Sequence, residues 1–208
     1  MQRRTFLMAA PLALAGCGNG VLRDEPLASQ AEVDRVAFVA PGPKRLTLMT
    51  MKNVESGNGA HSGLIINASQ QVLWDPAGNF SSVSIPERND VHFGITPQIA
   101  ELYISFHSRI TFYTLVQELD VPPETAEMAL RLAIANGPTP SALCASHTSR
   151  MLSQLPGFER INRTLFPNNL ADQFAQLPGV RSRIVRENDD DDKSIAAAEI
   201  DAILAREQ

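Results

Sequence analysis

Cys144 and His61 are the residues whose types and surroundings are best suited to covalent chemistry. A thiol becomes a nucleophile when its pKa is depressed, by the positive end of a helix dipole or by a nearby imidazole. Cys144 falls in the first turn of a helix predicted to open at Pro140-Ser141. Backbone N–H groups there have no intrahelical partner, so they can face a thiolate and part of a developing oxyanion. His61 begins a predicted strand directly after the Gly-, Asn- and Ser-rich loop 53–59, where a base would be rigid yet reachable. Asp75 lies fourteen positions later and is the candidate to orient the imidazole. If Ile66 pairs with Gln70, His61 faces Asp75; if Ile66 pairs with Gln71, Asp75 turns to the other face. Trp74 could instead pack on the ring. His147, one helical turn after Cys144, could line the cleft, although a surface polar residue fits its position as well. Taken singly, a histidine at a strand end and a cysteine on an apolar helix face are ordinary structural residues. No Cys-x-x-Cys or His-Glu-x-x-His spacing supports a metal site, and no cofactor is expected.

These residues need a scaffold. Short strands are predicted at 36–39, 45–51, 61–66 and 71–74, the last two as a hairpin. Thr96-Pro97 opens a helix with Ile99, Leu102, Tyr103 and Phe106 at helical spacing. A strand follows at 110–116, a helix from Pro122-Pro123 to Gly137, and the Cys144 helix to about Leu155. A short helix at 169–177 and a strand at 180–186 complete the domain. Hairpins with grouped helices imply an α+β domain built on a small antiparallel sheet, spanning residues 35–187. The acidic run 188–192 reads as a solvated linker and 195–206 as a tail helix, together a segment 188–208. A net charge of -5 excludes the basic face of a nucleic-acid binder.

The cysteine count sharpens the choice. The chain has two, Cys17 and Cys144. Met1-Gln2-Arg3-Arg4 is basic, Thr5–Leu14 mostly apolar, and Ala15-Gly16 small, the order of a secretory signal over residues 1–16. Leu14-Ala15-Gly16-Cys17 resembles the lipobox of bacterial lipoproteins, which implies cleavage before Cys17 and lipid, including a palmitate-type acyl chain, on its sulfur and amine. Residues 17–34 would then be a lipidated tether. Arg3-Arg4-Thr5-Phe6-Leu7 also resembles a twin-arginine export signal. Gly18 rather than Asp after the cysteine implies, by the same family analogy, an outer-membrane anchor facing the periplasm. With Cys17 lipidated, Cys144 has no disulfide partner. A lone thiol in an oxidising compartment is expected to be buried and inert or kept for its chemistry.

His61-Ser62-Gly63-Leu64-Ile65-Ile66 resembles the histidine strand of the circularly permuted NlpC/P60 group of papain-like thiol hydrolases. Leu143-Cys144-Ala145-Ser146-His147-Thr148-Ser149-Arg150-Met151-Leu152 resembles its cysteine helix, and Pro167-Asn168-Asn169-Leu170-Ala171 a segment that follows. As in that group, the histidine precedes the cysteine. The resemblance spans about residues 45–186. It implies a permuted papain-like fold and cleavage of an amide, or acyl transfer or thioester chemistry on lipids. Ala145 and Ser146 depart from the group's strongest cysteine motif. The expectation is an envelope-anchored cysteine hydrolase of the amidase or peptidase class, a thiol protease-like enzyme, acting on peptidoglycan, a peptide or a lipid. The alternatives are a non-catalytic binding or scaffold lipoprotein of the same fold and a lipid acyltransferase or thioesterase.

Overall fold

The computed structural model describes residues 27–206; Cys17, the lipobox and the signal lie outside them. The architecture is α+β, a seven-stranded antiparallel sheet with helices on both faces. The strands are β1 (Arg45–Asn53), β2 (Gly59–Asn67), β3 (Gln71–Trp74), β4 (Glu87–Arg88), β5 (Val91–His92), β6 (Phe112–Asp120) and β7 (Arg181–Val185). Their order across the sheet is β4-β5-β3-β2-β1-β6-β7. The helices are α1 (Gln30–Val36), α2 (Pro97–His107), α3 (Pro123–Ala135), α4 (Cys144–Leu152), α5 (Pro167–Ala175) and α6 (Lys193–Ala205).

The pleat sorts the core into two. Leu46, Leu48, Leu64, Ile66, Val72 and Trp74 face α1, α3, α4 and α5. Met49, Met51, Ile65, Leu73 and Val116 face α2 and α6. Strands buried on both faces lose a simple apolar/polar alternation, which is why β1 shows an almost continuous buried run.

Several elements differ from expectation. Residues 36–39 form no strand; helix α1 occupies 30–36, held by a capping box between Ser29 and Glu32, and buries Val33 where the sequence suggested a tether. The loop 86–90 contributes the two-residue strand β4. The acidic run is not a free linker. Asp189 pairs with Arg109 at 3.3 Å, Asp191 bonds Thr111, and Asp192 caps α6. Helix α6 then seats Ala196, Ile200 and Leu204 in the second core, so the tail helix is packed against the domain. No helix among the described residues is long and apolar enough to cross a membrane.

Candidate active site

The hairpin β2–β3 supplies His61 and leads directly into Asp75. Its register pairs Leu64 with Trp74 and Asn67 with Gln71, which places Ile66 opposite Val72, neither of the two partners considered from sequence. The parity is that of the productive alternative, so Asp75 and His61 share a face. Continuing the register puts Asp75 level with Gly63, one diagonal step from His61, and side chains at that separation can meet. They do: His61 Nε2 lies 2.7 Å from Asp75 Oδ1. A bulge beside His61, where β1 register slips between Met51 and Lys52, helps aim the ring.

Strand β3 ends at Trp74, so residues 59–63 of β2 are paired only to β1. This break lets a helix from one face meet a side chain from the other. Helix α4 uses it, and its first residue is Cys144. The helix begins later than predicted because Pro140–Leu143 form a turn, with Leu143 N–H bonded to the Pro140 carbonyl and Ala142 at a φ of 64°. A non-glycine residue in that region is strained, and here the strain accompanies a turn that places Cys144 at the helix tip.

The Cys144 thiol is coupled electrostatically to the His61 imidazole and to Ser62. The Ser62 hydroxyl is fully buried, has no hydrogen-bond partner among the described residues, and helps to lower the thiol's pKa. Because Nε2 is committed to Asp75, Nδ1 is the nitrogen left for the thiol. Burial by itself would raise the Cys144 pKa; the bonds and charge from His61, then Ser62, outweigh it and bring the thiol below its ordinary value. Burial would likewise lower His61, but the Asp75 carboxylate, helped by the sulfur, pushes it up to about 10. Asp75, buried yet facing His61, is held well below the usual carboxylate range by that imidazole. The directions of these shifts favour a thiolate beside an imidazolium and a carboxylate.

The Asp75 carboxylate has a tight enclosure. Asp75-Pro76-Ala77-Gly78 turns back on itself, with Gly78 N–H bonded to the Asp75 carbonyl at 2.9 Å. A Cβ on Gly78 would stand 1.7 Å from Asp75 Oδ2. Tyr103 and His107 of α2 complete the floor, Tyr103 bonding Asp75 and His107 stacking on His61 with centroids 5.9 Å apart and planes at 22°. His107 Nδ1 faces the Tyr103 carbonyl at 3.0 Å, and burial drives its pKa down to about 3, so it is neutral.

No family model, curated protein or solved structure matches the chain. The geometry therefore stands by itself. The structure brings Cys144, His61 and Asp75 together. It does not bring Trp74 or His147 to them. Trp74 is fully buried on the sheet face opposite His61, and the ring that stacks on His61 is His107. His147 turns to the end of α3, its Nδ1 2.9 Å from Asn136 Oδ1, an oxygen that also accepts from Arg150. Among the described residues no group of three or more His, Cys, Asp or Glu is arranged to hold a metal. Ser62, Tyr103 and His107 were not singled out by sequence. One signal was present: a glycine inside a strand, Gly63, marks a close approach, and a Cβ there would lie 2.4 Å from Tyr103 Oη.

Proposed function

We propose that the chain is a cysteine hydrolase of the permuted papain-like kind, acting on an amide or acyl bond. The observation that carries this is the His61 imidazole, held 2.7 Å from the Asp75 carboxylate and coupled to the Cys144 thiol, whose pKa it lowers. The Cys144 thiolate attacks the substrate carbonyl carbon, forming a C–S bond and an oxyanion. The Cys144 N–H, first in its helix, is one donor to that oxyanion. The His61 imidazolium gives its proton to the leaving nitrogen or oxygen as the C–N or C–O bond breaks. His61 then takes a proton from water, whose oxygen attacks the thioester, and the thiolate leaves to restore the ion pair.

The substrate is read as an envelope compound, and the chain as anchored by lipid on Cys17, with its domain facing the periplasm. Exposed apolar side chains on the loop before α5 favour an acyl or otherwise apolar substituent over a purely polar peptide. Loop 163–168 runs from the first turn of α4, where Arg163 bonds the Ser146 hydroxyl at 2.9 Å, to the β1–β2 turn, where Asn168 bonds the Gly57 carbonyl at 3.0 Å. It presents Leu165 and Phe166 to solvent, Phe166 with 70% of its surface exposed.

The decisive experiment is release of p-nitrophenol from p-nitrophenyl acyl esters and of amine from peptide amides. Turnover by the purified chain is expected to vanish in Cys144→Ala and His61→Ala. Incorporation of labelled palmitate, lost in Cys17→Ala, tests the anchor. One observation favours the non-catalytic alternative: Cys144 is only 6% exposed. A native chain whose thiol resists iodoacetamide at every pH, with no ester turnover, would establish that alternative.

A further inference from the structure

We propose that Tyr103 is a positioning residue of this site: its phenol, bonded to the same Asp75 oxygen as His61, takes up part of the carboxylate's charge and so limits how tightly the imidazole holds its proton. The inference rests on the catalytic reading of Cys144 and His61.

Tyr103 Oη donates to Asp75 Oδ1 at 2.6 Å, and His61 Nε2 meets that oxygen at 2.7 Å. The phenol comes from the face opposite the Cys144 helix, because Tyr103 is fully buried in the core under α2. It reaches the carboxylate across β2 only because Gly63 has no side chain. Its ring is fixed before any substrate arrives. Phe80 meets it edge-on at 5.1 Å and His107 lies at 4.5 Å. The phenol is held as a donor, since burial and the Asp75 charge raise its pKa well above the ordinary value.

A carboxylate in a dry pocket with a single donor competes for that donor's proton. A second donor on the same oxygen stabilises the ionised form and weakens it as a base. Asp75 can then orient and charge-balance His61 without taking its proton. The other groups facing this pocket are His92, His107, Cys144 and Asp90, together with Lys193 of α6, which lies over the Phe106 ring at 4.9 Å. Among them the Tyr103 hydroxyl is the donor bonded to the oxygen that His61 uses. Tyr103 touches no reacting atom and acts through Asp75 alone.

The test is the pH profile of Cys144 alkylation by iodoacetamide in the full chain carrying Cys17→Ala, which leaves one thiol. The profile has a lower limb where the thiolate forms and an upper limb where His61 loses its proton. In Tyr103→Phe, which keeps the ring, Asp75 becomes more basic and so does His61. The upper limb is expected to rise by about one unit. An imidazolium that holds its proton harder is a poorer acid, so p-nitrophenyl acetate turnover should fall about three- to tenfold. Replacing both tyrosines of the chain with a ring-fluorinated tyrosine makes the phenol a stronger donor without removing it; the upper limb should then fall. Limbs unmoved in both cases, or a Tyr103→Phe limb dropping towards the free-imidazole value, overturn the role of Tyr103 alone. A parent chain whose thiol labels only near its free pKa, with no turnover lost in Cys144→Ala, overturns the catalytic reading as well.

Discussion

Replacing Asp75 by Asn separates charge from orientation. The amide keeps the size of the carboxylate, and its oxygen can still accept from His61 Nε2, so the ring stays in place. What is lost is the negative charge. In the parent chain His61 is raised from 6.5 to about 10, a displacement worth about 5 kcal/mol in favour of the imidazolium. The Asp75 charge is the largest raising cause, and the largest opposing cause is burial. Without the carboxylate, burial prevails and His61 is neutral at pH 7. The thiolate then loses its countercharge, and the Cys144 labelling limb should move up to the free-thiol value of about 8.5 or beyond. At pH 6.5 a thiol titrating at 8.5 is about 1% ionised, so iodoacetamide labelling should slow by about ten- to a hundredfold. Circular dichroism and a melting curve check that the Asn variant remains folded. A labelling limb within half a unit of the parent's in a folded variant would refute the idea that Asp75 sustains the ion pair.

Three further outcomes follow from the same geometry. Gly78→Ala forces a methyl against Asp75 Oδ2 and should cost about 1–3 kcal/mol of stability, read by urea titration, with loss of low-pH thiol labelling. In the Cys144→Ala chain the His61–Asp75 pair should give a stability plateau. The Asp75 contribution, from a lowered pKa, is present above about pH 4 and lost as pH falls; that of His61, from a raised pKa, is full below about pH 6.5 and lost on the way to 10. Denaturant midpoints should therefore be highest between about pH 4 and 6.5, and a midpoint rising from pH 7 to 10 would contradict the pairing. His147→Ala should leave the labelling profile unchanged, because that ring is bonded to Asn136 and lies away from the Cys144–His61 line.

How much of this was legible in the sequence varies with the physics behind each element. Strand β3 was read with its observed bounds, because a short apolar run between polar turns has few alternatives. Helix α2 announced itself by Thr96, which caps the Ile99 N–H, and by Pro97 at its first turn. Helix α1 was equally announced, by Ser29-Gln30-Ala31-Glu32, a capping box in plain sequence, and was missed because the stretch was taken as tether. The hairpin register was not legible, since three-residue and shorter turns fit the same polar link, and a register change of one residue turns Asp75 over. In the sequence Tyr103 is legible only as an apolar-face helix residue, and His107 shows no partner. What they meet depended on α2 packing beneath β2, a long-range choice that leaves in the sequence only the glycine at 63. The start of α4 depended on a left-handed Ala142, which no propensity favours.

The separation of the site's members along the chain has a consequence for how reactivity arises. Base and orienter are fourteen residues apart on one hairpin. The thiol comes some eighty residues after the histidine, beyond three further strands, α2 and α3. Closing the longer loop costs roughly 1.5 kcal/mol more in chain entropy than closing the shorter one. Local pairing is thus cheaper in chain entropy than bringing in the sulfur, and a chain synthesised only as far as α3 contains His61 and Asp75 but not Cys144. On the proposed function, Cys144 gains its imidazole partner only once the sheet and its helices have closed around it, so folding itself would act as the safety catch on the chemistry.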